Sequence, residues 1–496
     1  MIRPLATFSL SLSEVAHLVG AKCESDLHIT GVSHKDSEIE AGDLFLAIPG
    51  AKVHGASFAG SAAKNGAVAI LTDAEGAKLA SNLPVILPVI IVSDVRSAGA
   101  IIASALYKDP TRDIHSIGIT GTNGKTTVTT LLHQIFLAAG HESGLIGTVE
   151  TRIGSEVIPS TRTTPEAADL QALSAAMRER HMRHLVMEVS SHAITLKRIK
   201  GSHFSIVGFT NLSQDHLDFH GDMESYFEAK AKLFTYEYAE CGFINIDSAY
   251  GETIASQCDI PVVPISRLDK SATWHFSEVH AGASGTQFSI RGVEGILIES
   301  TTQLFGGYNL DNLLMAVAIA YASGVDPVEL ATIIPHLTGA PGRLEPVSIG
   351  QDFTALVDYA HSPDAVMNVL AAAREFTSGR VIAVLGCGGD RDKSKRPLMG
   401  GALLKGSDIA IFTSDNPRSE DTSEILKDMT SGLEMAESSQ IISERDEAIR
   451  FAVSQAKVGD TVLILGKGHE SGQEIKGITT PFDDRLQLAR AIEGRK

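Results

Sequence analysis

The segment Ile114-His-Ser-Ile-Gly-Ile-Thr-Gly-Thr-Asn-Gly-Lys-Thr-Thr127 joins an apolar run to a glycine loop, and this junction is the clearest indication of the fold. The residues that follow, 131–136, place apolar side chains at helical spacing. A glycine loop between a strand and a helix turns backbone N–H groups toward an anion. We therefore predict a nucleotide-phosphate loop in which Lys125 reaches the terminal phosphates and Thr126 can bind Mg²⁺. The predicted members of the loop are Gly121, Thr122, Asn123, Gly124, Lys125, Thr126 and Thr127.

The loop is a variant of the common pattern G-x-x-x-x-G-K-[ST], since Ile119 stands where the first glycine is expected. The alternative is a glycine-rich turn with an incidental lysine, but the strand before the loop and the helix after it favour a phosphate site. The sequence has no N-K-x-D motif of the guanine-binding type, so we predict ATP rather than GTP as the ligand.

Apolar runs that end in polar loops recur along the chain. In the first half they are residues 184–189 and 205–209, and after the linker Thr338-Gly-Ala-Pro-Gly342 they are 381–385, 408–412 and 461–465. Unbroken apolar runs are typical of parallel strands covered on both faces, and such sheets bind ligands at the carboxyl ends of their strands. We predict an α/β protein of three domains. These are an N-terminal α/β domain (1–107), a central P-loop ATPase domain with a doubly wound sheet (108–337), and a C-terminal Rossmann-like domain (338–496).

Length and composition agree with a three-domain enzyme. The chain has 496 residues, 43% of them hydrophobic, and a net charge of 42 − 60 = −18. The acidic balance disfavours nucleic acid or an anionic membrane as the main partner. Four scattered cysteines suit a reducing compartment, the first 20 residues lack a clean signal segment, and the apolar run 83–92 is too short to span a bilayer. We expect a cytoplasmic monomer that acts on small molecules, with no nucleic-acid partner and no membrane insertion.

Several separated motifs together resemble one family. Gly121 to Thr127, Glu188-Val-Ser-Ser-His192, Thr210-Asn-Leu-Ser-Gln-Asp-His-Leu-Asp218 and Glu228-Ala-Lys230 resemble the Mur ligases, the ATP-dependent amide ligases of peptidoglycan precursor assembly. Three later motifs resemble the members that add the third amino acid of the peptide. They are Gly386-Cys-Gly-Gly-Asp-Arg-Asp-Lys393, Asp415-Asn-Pro-Arg418 and Gly466-Lys-Gly-His-Glu470. The match runs in the same order from about Ala41 to the C-terminus.

The resemblance implies a reaction in two steps. ATP phosphorylates a carboxylate of UDP-MurNAc-L-Ala-D-Glu, and the amine of the incoming amino acid then attacks the acyl phosphate and expels phosphate. A carboxylate becomes a good electrophile only when one of its oxygens is made a leaving group. Because the step brings anions together, it needs the positive charge of lysine and metal.

The resemblance also implies a Mg²⁺ site made of Thr126, Glu188, His216 and Lys230. In the family the lysine that matches Lys230 is carbamylated, which converts a cation into an anionic ligand with two oxygens. Without the resemblance, Glu228-Ala-Lys230 is more simply a solvated helix face, because lysines are mostly exposed. His216 alone could equally be a histidine hydrogen-bonded near a strand end.

For the rest of the nucleotide, Asn309 and Asn312 resemble the adenine-side asparagines of the family, and Arg343 and Asp358 its phosphate and ribose contacts. Each has a structural alternative. Asn312 could cap a helix over residues 313–319, and Arg343 could form a surface ion pair.

For the sugar-nucleotide substrate, Thr163, Thr164, Ser190 and Arg198 match family positions. Thr163-Thr-Pro-Glu could instead be a helix start with proline in its first turn. The first domain departs from the family, because it reads Ser33-His-Lys-Asp-Ser-Glu38 where members often carry Asp-Ser-Arg, so no contact to the uracil end is assigned.

The turn Asp415-Asn-Pro-Arg418 indicates which amino acid is added. Asn before Pro is kept out of the α region, so the turn is extended and presents Arg418. The far end of meso-diaminopimelate carries a carboxylate, which gains a charge-assisted bond to arginine of about 1.5–3 kcal/mol, whereas lysine offers only an ammonium there. The family contacts carried over for this amino acid are Arg391, Asp415, Asn416, Pro417, Arg418, Gly466 and Glu470.

The sequence thus predicts an ATP-dependent ligase that adds meso-diaminopimelate to UDP-MurNAc-L-Ala-D-Glu. Four alternatives remain at this point. Arg418 could be a turn arginine in solvent, and the chain could be an L-lysine-adding homologue, a folylpolyglutamate synthetase or a non-catalytic nucleotide-binding regulator. The set Lys125, Glu188, His216 and Lys230 argues against a regulator, because binding alone does not need it.

Overall fold

The computed structural model describes residues 2–23, 25–50, 52–82, 87–282 and 285–495. The chain packs into two units. One is Met1–His275 with Arg291–Ile296 and Leu314–Leu330, and the other is Phe276–Ile290 with Leu297–Leu313 and Ala331–Lys496. The predicted α/β class is confirmed, whereas the division at residues 107 and 337 stays a prediction. Among the described residues, no helix is both long and apolar enough to cross a membrane.

The first 113 residues contain a small parallel sheet in the order β3-β4-β5-β6, and β1 and β2 form an antiparallel pair. Residues 83–86 of the apolar run 83–92 lie outside the described residues. The elements are β1 (Leu10–Ser11), α1 (Leu12–Leu18), β2 (His28–Ile29), β3 (Gly31–Ser33), β4 (Asp43–Leu46), α2 (Ala59–Lys64), β5 (Ala69–Thr72), α3 (Ala74–Ser81), β6 (Val89–Ile91), α4 (Val95–Leu106) and α5 (Pro110–Asp113).

The central region is built on a second, larger sheet, of which eight strands lie in the order β10-β9-β8-β11-β7-β12-β13-β14. In this order, the strands β8, β11, β7, β12, β13 and β14 pair in parallel. The strands β9 and β10 extend the sheet beyond β8 in antiparallel pairing. The elements are β7 (His115–Thr120), α6 (Lys125–Ala138), β8 (Ser143–Ile146), β9 (Glu150–Ile153), β10 (Glu156–Pro159), α7 (Ala167–Glu179), β11 (His184–Glu188), α8 (Ser191–Thr195), β12 (Phe204–Phe209), α9 (Leu217–His220), α10 (Met223–Ala231), β13 (Ala239–Asn245), α11 (Ala249–Gln257) and β14 (Val262–Ser266).

The C-terminal part holds a third sheet in the order β18-β19-β23-β20-β21-β22, parallel from β19 to β22, and a hairpin of β24 and β25. The remaining elements are β15 (Trp274–Gly282), β16 (Gly285–Arg291), β17 (Leu297–Thr302), α12 (Gly307–Ala322), α13 (Pro327–Ile333), β18 (Glu345–Pro346), β19 (Thr354–Asp358), α14 (Pro363–Phe376), β20 (Val381–Cys387), α15 (Lys395–Gly406), β21 (Ile409–Ser414), α16 (Thr422–Thr430), β22 (Gln440–Ile441), α17 (Arg445–Gln455), β23 (Thr461–Leu465), β24 (Gly472–Ile475), β25 (Ile478–Pro481) and α18 (Asp484–Glu493).

The predicted strands are present with small shifts at their ends. The run 461–465 coincides with β23, 381–385 extends by two residues in β20, and 408–412 corresponds to Ile409–Ser414. Because β7 lies between β11 and β12, the loops that follow these three strands share one edge of the central sheet. In the third sheet, β19, β23, β20 and β21 are adjacent in the same way, so the loops after them meet at one edge.

Candidate active site

The loop of residues 121–127, here called the phosphate loop, depends on two glycines. Gly121 has φ +145° and Gly124 has φ +88°, values that side chains rarely allow, and a Cβ on Gly121 would lie 1.9 Å from Thr210 Oγ1. Helix α6 begins at Lys125 without a side-chain cap. The first N–H groups of α6 are therefore open to an anion, in addition to the favourable helix dipole.

The loop after β12 braces the phosphate loop. The backbone N–H of Thr122 donates to the Asn211 carbonyl at 2.9 Å, and the N–H of Asn123 donates to Asn211 Oδ1 at 3.0 Å. The Thr122 hydroxyl donates to the Ser213 carbonyl at 3.2 Å. Asn211 and Ser213 belong to a motif that resembles the family, but neither was among the predicted site residues.

Two lysines meet at one carbonyl of the phosphate loop. Lys125 Nζ and Lys230 Nζ both donate to the Gly121 carbonyl at 2.8 Å. Lys230 is 1% exposed, and its Nζ lies 4.6 Å from the centre of the Tyr226 ring. Burial lowers the pKa of Lys230 well below its ordinary value, and the charge of Lys125 lowers it further while Asp215 opposes the shift. The solvated-face alternative for Lys230 is therefore wrong, since helix α10 turns this side chain into the interior.

A group of oxygen atoms surrounds the end of β11. The Thr126 hydroxyl donates to Glu188 Oε2 at 3.0 Å, and Thr148 donates to the same carboxylate through its N–H at 2.7 Å and its hydroxyl at 3.0 Å. Glu188 is buried. The structure thus brings together two of the four predicted metal ligands. It adds Thr148, for which the sequence carried no signal.

His216 lies in the loop between β12 and α9, and its ring packs against two other ring side chains. Its ring stands edge-on to His192 at 4.7 Å and to Tyr226 at 6.2 Å between ring centres. Burial lowers the pKa of His216 to about 4, with Asp215 opposing and His192 adding to the shift. A neutral imidazole at neutral pH has a nitrogen lone pair for a metal or a hydrogen bond. Among the described residues, no group of three or more His, Cys, Asp or Glu side chains is arranged for a metal.

The four residues predicted for the sugar-nucleotide substrate surround the end of β11 as well. The Thr164 hydroxyl donates to the Glu188 carbonyl at 2.8 Å and accepts from the Ser190 N–H at 3.1 Å. The Thr163 hydroxyl lies 3.0 Å from that of Thr148. Ser190 caps α8 through the N–H of Ala193.

Arg198 is held in the same place by Glu166, an acidic residue that was not among the predicted site residues. Its Nε lies 3.0 Å from Glu166 Oε1, and Arg96 and Arg162 also contact this carboxylate. Burial acts to raise the pKa of Glu166, but Arg198 and Arg96 lower it below its ordinary value. Segment 163–166 does lead into a helix, since Glu166 precedes α7 at Ala167, but Pro165 lies before the first turn and not in it.

Asn309 and Asn312, the predicted adenine-side pair, are buried neighbours on α12. Asn312 Nδ2 donates to Asn309 Oδ1 at 3.3 Å, and Asn309 Nδ2 donates to the Phe305 carbonyl at 2.8 Å. The alternative of a helix cap at Asn312 is wrong, because α12 begins five residues earlier, at Gly307.

Arg343 and Asp358 lie together at the end of β19. The Asp358 carboxylate accepts from the N–H groups of Leu344 and Ala360 at 2.7 and 2.8 Å. Burial raises the pKa of Asp358, and Arg343 opposes the shift. The Arg343 guanidinium stacks over the Tyr359 ring at 4.8 Å, so Arg343 forms a cation–π contact in addition to facing Asp358.

Three segments lie at the carboxyl ends of β20, β21 and β23. They are residues 386–393, 415–418 and 466–474, here called the amino-acid loops. Arg418 has φ +51°, a left-handed conformation that costs about 1 kcal/mol or more in a non-glycine residue. Its backbone is fixed by the hairpin, because its N–H donates to the Glu474 carbonyl and its carbonyl accepts from Lys476. Its Nη1 donates to the Gly389 carbonyl at 2.7 Å, and its side chain is 23% exposed. A turn arginine in solvent does not describe this arrangement.

The other predicted amino-acid contacts adjoin the turn 415–418 that carries Arg418, with one partial exception. Asn416 Nδ2 donates to Glu470 Oε2 at 2.8 Å, and a Cβ on Gly466 would lie 2.7 Å from Asp415 Oδ2. Burial raises the pKa of Asp415, and Arg445 and Lys467 oppose the shift. Arg391 is exposed, and its guanidinium donates to the neighbouring Asp390 carbonyl at 3.4 Å, so it is on the loop without being held at the other contacts.

Comparisons with known proteins cover nearly the whole chain. Family profiles match residues 28–107 (Mur ligase family, catalytic domain), 119–320 (Mur ligase middle domain) and 342–468 (Mur ligase, glutamate ligase domain). A relative from Streptomyces avermitilis is 46% identical over 99% of this chain and 98% of its own length, and one from Corynebacterium glutamicum is 42% identical over 96% and 93%. Both are UDP-N-acetylmuramoyl-L-alanyl-D-glutamate--2,6-diaminopimelate ligases.

A solved structure of an enzyme with the same name aligns with a TM-score of 0.70 and 31% identity, over 98% of this chain and 99% of that one. These matches confirm the predicted ligase class of enzyme and the predicted family. The chain belongs to the Mur ligase family.

Proposed function

We propose that the chain is an ATP-dependent ligase that adds meso-diaminopimelate to the D-glutamate of UDP-MurNAc-L-Ala-D-Glu. The observation that carries the choice of amino acid is the strained backbone of Arg418, in the same turn as Asn416, whose side chain donates to Glu470. The Arg418 guanidinium and the Glu470 carboxylate, both on the amino-acid loops, are complementary in charge to the carboxylate and ammonium at the far end of diaminopimelate. The names of the relatives from Streptomyces and Corynebacterium support the same substrate.

The chemistry follows from what the residues can hold. Lys125 and the first N–H groups of α6 bind the terminal phosphates of ATP, and a D-glutamate carboxylate oxygen attacks the γ-phosphorus while ADP leaves. The amine of diaminopimelate, after loss of a proton to solvent, forms a C–N bond at the acyl carbon. The C–O bond to phosphate then breaks, phosphate leaves, and the nitrogen loses a second proton to solvent to give the amide. Thr163, Thr164, Ser190 and Arg198 would hold the sugar nucleotide with its carboxylate near this point.

The donor set at the phosphate loop fits Mg²⁺. Thr126 and Glu188 provide the oxygen donors that this cation prefers, and they are already 3.0 Å apart. Lys230 would join them after carbamylation, with His216 as a nitrogen donor. When bound, the cation supplies positive charge that reduces repulsion between phosphate and carboxylate.

Carbamylation of Lys230 requires a neutral amine, which adds to CO₂ with loss of one proton. The lowered pKa of Lys230 favours that neutral form. Because raising the pH deprotonates the amine, the carbamate fraction should increase with pH. Carbon-13 NMR with labelled bicarbonate should give a carbamate signal in the wild type that is absent from Lys230→Arg. Equal spectra for the two proteins would reject the modification.

The compartment and the assembly belong to the proposal too. ATP as a substrate and four cysteines that are all free thiols match the cytoplasm, and we expect a monomer. The nucleotide contacts proposed for ATP beyond the phosphate loop are Asn309, Asn312, Arg343 and Asp358.

Phosphate release tests the function. The protein is mixed with UDP-MurNAc-L-Ala-D-Glu, ATP and either meso-diaminopimelate or L-lysine. We expect turnover with diaminopimelate and a kcat/KM lower by about 10- to 100-fold with lysine, since lysine leaves Arg418 without its carboxylate. Equal turnover would reject the role of Arg418, and no turnover with either amino acid would favour a regulator.

A further inference from the structure

Lys467 is a buried lysine that none of the roles above includes. Its side chain is 0% exposed, and Nζ donates to Asn416 Oδ1 at 3.2 Å, Glu470 Oε2 at 3.1 Å and the Gly472 carbonyl at 2.7 Å. An ammonium has three hydrogens, so each of them has an acceptor. A buried charge persists only when it is paired and hydrogen-bonded, and Lys467 meets both conditions.

These hydrogen bonds act on one oxygen of Glu470. Oε2 accepts from Lys467 Nζ and from Asn416 Nδ2, so the carboxylate is fixed in orientation. Within the described part of the chain, Oε1 accepts no hydrogen bond, and the Glu470 side chain is 33% exposed. The carboxylate therefore keeps one oxygen for a cationic ligand.

Lys467 also ties separate parts of the amino-acid loops together. Asn416 belongs to the turn after β21, and Gly472 begins β24. Asn416 Oδ1 accepts a second hydrogen bond, from the Glu474 N–H at 2.9 Å, and Asp415 Oδ1 lies 3.9 Å from Lys467 Nζ. Removing the ammonium would leave the carboxylates of Asp415 and Glu470 near each other without the cation between them.

We propose that Lys467 is a positioning residue that aims Glu470 at the ammonium on the far end of the incoming amino acid. The proposal rests on the proposed function, because it takes diaminopimelate as the substrate. Lys467 does not touch the substrate. It acts through Glu470 and Asn416.

The test compares two substrates on Lys467→Met. Alongside meso-diaminopimelate we use 2-aminopimelate, which keeps the distal carboxylate but lacks the distal amine. We expect kcat/KM for diaminopimelate to fall on the order of 10- to 100-fold, and that for 2-aminopimelate to change by less than about twofold. The KM for ATP should also stay within about twofold. The matched control is Lys405→Met, an exposed lysine on α15, which should leave both substrates unchanged.

A double-mutant cycle with Glu470→Gln shows whether Lys467 acts through Glu470. When Glu470→Gln is already in place, Lys467→Met should cost no further activity with diaminopimelate. The double variant also removes the unpaired carboxylate of Glu470, so it serves if the single variant fails to fold. Equal losses on the two substrates, additive effects in the cycle, or failure of both variants to fold would give Lys467 a merely structural role and overturn the proposal. Absence of diaminopimelate turnover in the wild type would instead reject the proposed function.

Discussion

The phosphate loop and the amino-acid loops prepare for charged ligands with different parts of the chain. The phosphate loop presents the uncapped start of α6 and a backbone bent at Gly121 and Gly124. The amino-acid loops present side chains, and two of their cations already lie beside carboxylates, Lys467 beside Glu470 and Arg418 beside Glu474. A backbone site tolerates no added Cβ, whereas a side-chain site depends on which groups are paired. The two regions should therefore fail under different substitutions.

The largest expected effect is that of Gly121→Ala on the phosphate loop. The added Cβ would lie 1.9 Å from Thr210 Oγ1 at a φ of +145°, so the loop must move. A displacement of about 1 Å costs about 10²-fold in a positioned reaction, and we expect at least that loss in kcat/KM for ATP in the phosphate-release assay. Gly60→Ala is the control, because a Cβ at this position would have nothing within 4 Å and its φ is ordinary. Full activity of Gly121→Ala would show that this site does not depend on its backbone.

Arg418→Ala tests the other side of the comparison. It removes one charged hydrogen-bond partner, so kcat/KM for meso-diaminopimelate should fall by about 10- to 100-fold while the KM for ATP is unchanged. Steady-state kinetics with each substrate varied in turn measures both values. The control is Arg450→Ala, an exposed arginine on α17. A loss that appears equally in the KM for ATP would mean that the two regions are not separable in this way.

The two regions also differ in the buried polar residues that support them. His133 on α6 is buried, with Nδ1 3.1 Å from Ser143 Oγ, and burial lowers its pKa to about 4. Next to the amino-acid loops, Arg445 on α17 forms a buried ion pair with Asp484 on α18 and donates to the carbonyls of Ser414 and Leu465. We therefore expect acid to weaken the support of the phosphate loop through a histidine.

The sign of this pH effect follows from proton binding. Between pH 6.5 and about 4 the unfolded chain protonates His133 and the folded chain does not, so the free energy of unfolding falls as the pH falls. His133 should contribute a loss of about 2 kcal/mol at pH 5 relative to pH 7.5. Urea unfolding followed by the fluorescence of Trp274, the single tryptophan, measures it, and His133→Gln should lose about 2 kcal/mol less than the wild type. The same pH dependence in both proteins would show that His133 does not cause the loss of stability in acid.

The comparison also explains how much the sequence could predict. The phosphate loop could be predicted because its strand, glycines and lysine follow one another in the sequence. One short motif therefore determines the local backbone conformation. Its surroundings could not, since Thr148 is 40 positions from its partner Glu188 and Asn211 is 88 positions from its partner Asn123. Lys467 was hidden for the same reason, 51 positions from Asn416. The start of α12 was missed because Gly306 and Gly307 have no side chain that could mark a helix cap in the sequence.

The smallest expected effect concerns the carboxylate that already faces Arg418. Glu474 Oε2 lies 3.6 Å from Arg418 Nε, and the Glu474 side chain is 41% exposed, so this ion pair is worth less than about 1 kcal/mol. The distal carboxylate of diaminopimelate must compete with it for the guanidinium. Glu474→Gln removes that competitor but keeps the backbone carbonyl that fixes Arg418, so the KM for diaminopimelate should fall by about two- to threefold. Glu437→Gln, an exposed residue of the same unit, should leave the KM unchanged. A higher KM in Glu474→Gln would mean that Glu474 orients Arg418 for the substrate. The ion pairs Arg418–Glu474 and Lys467–Glu470 would then both favour binding of the amino acid.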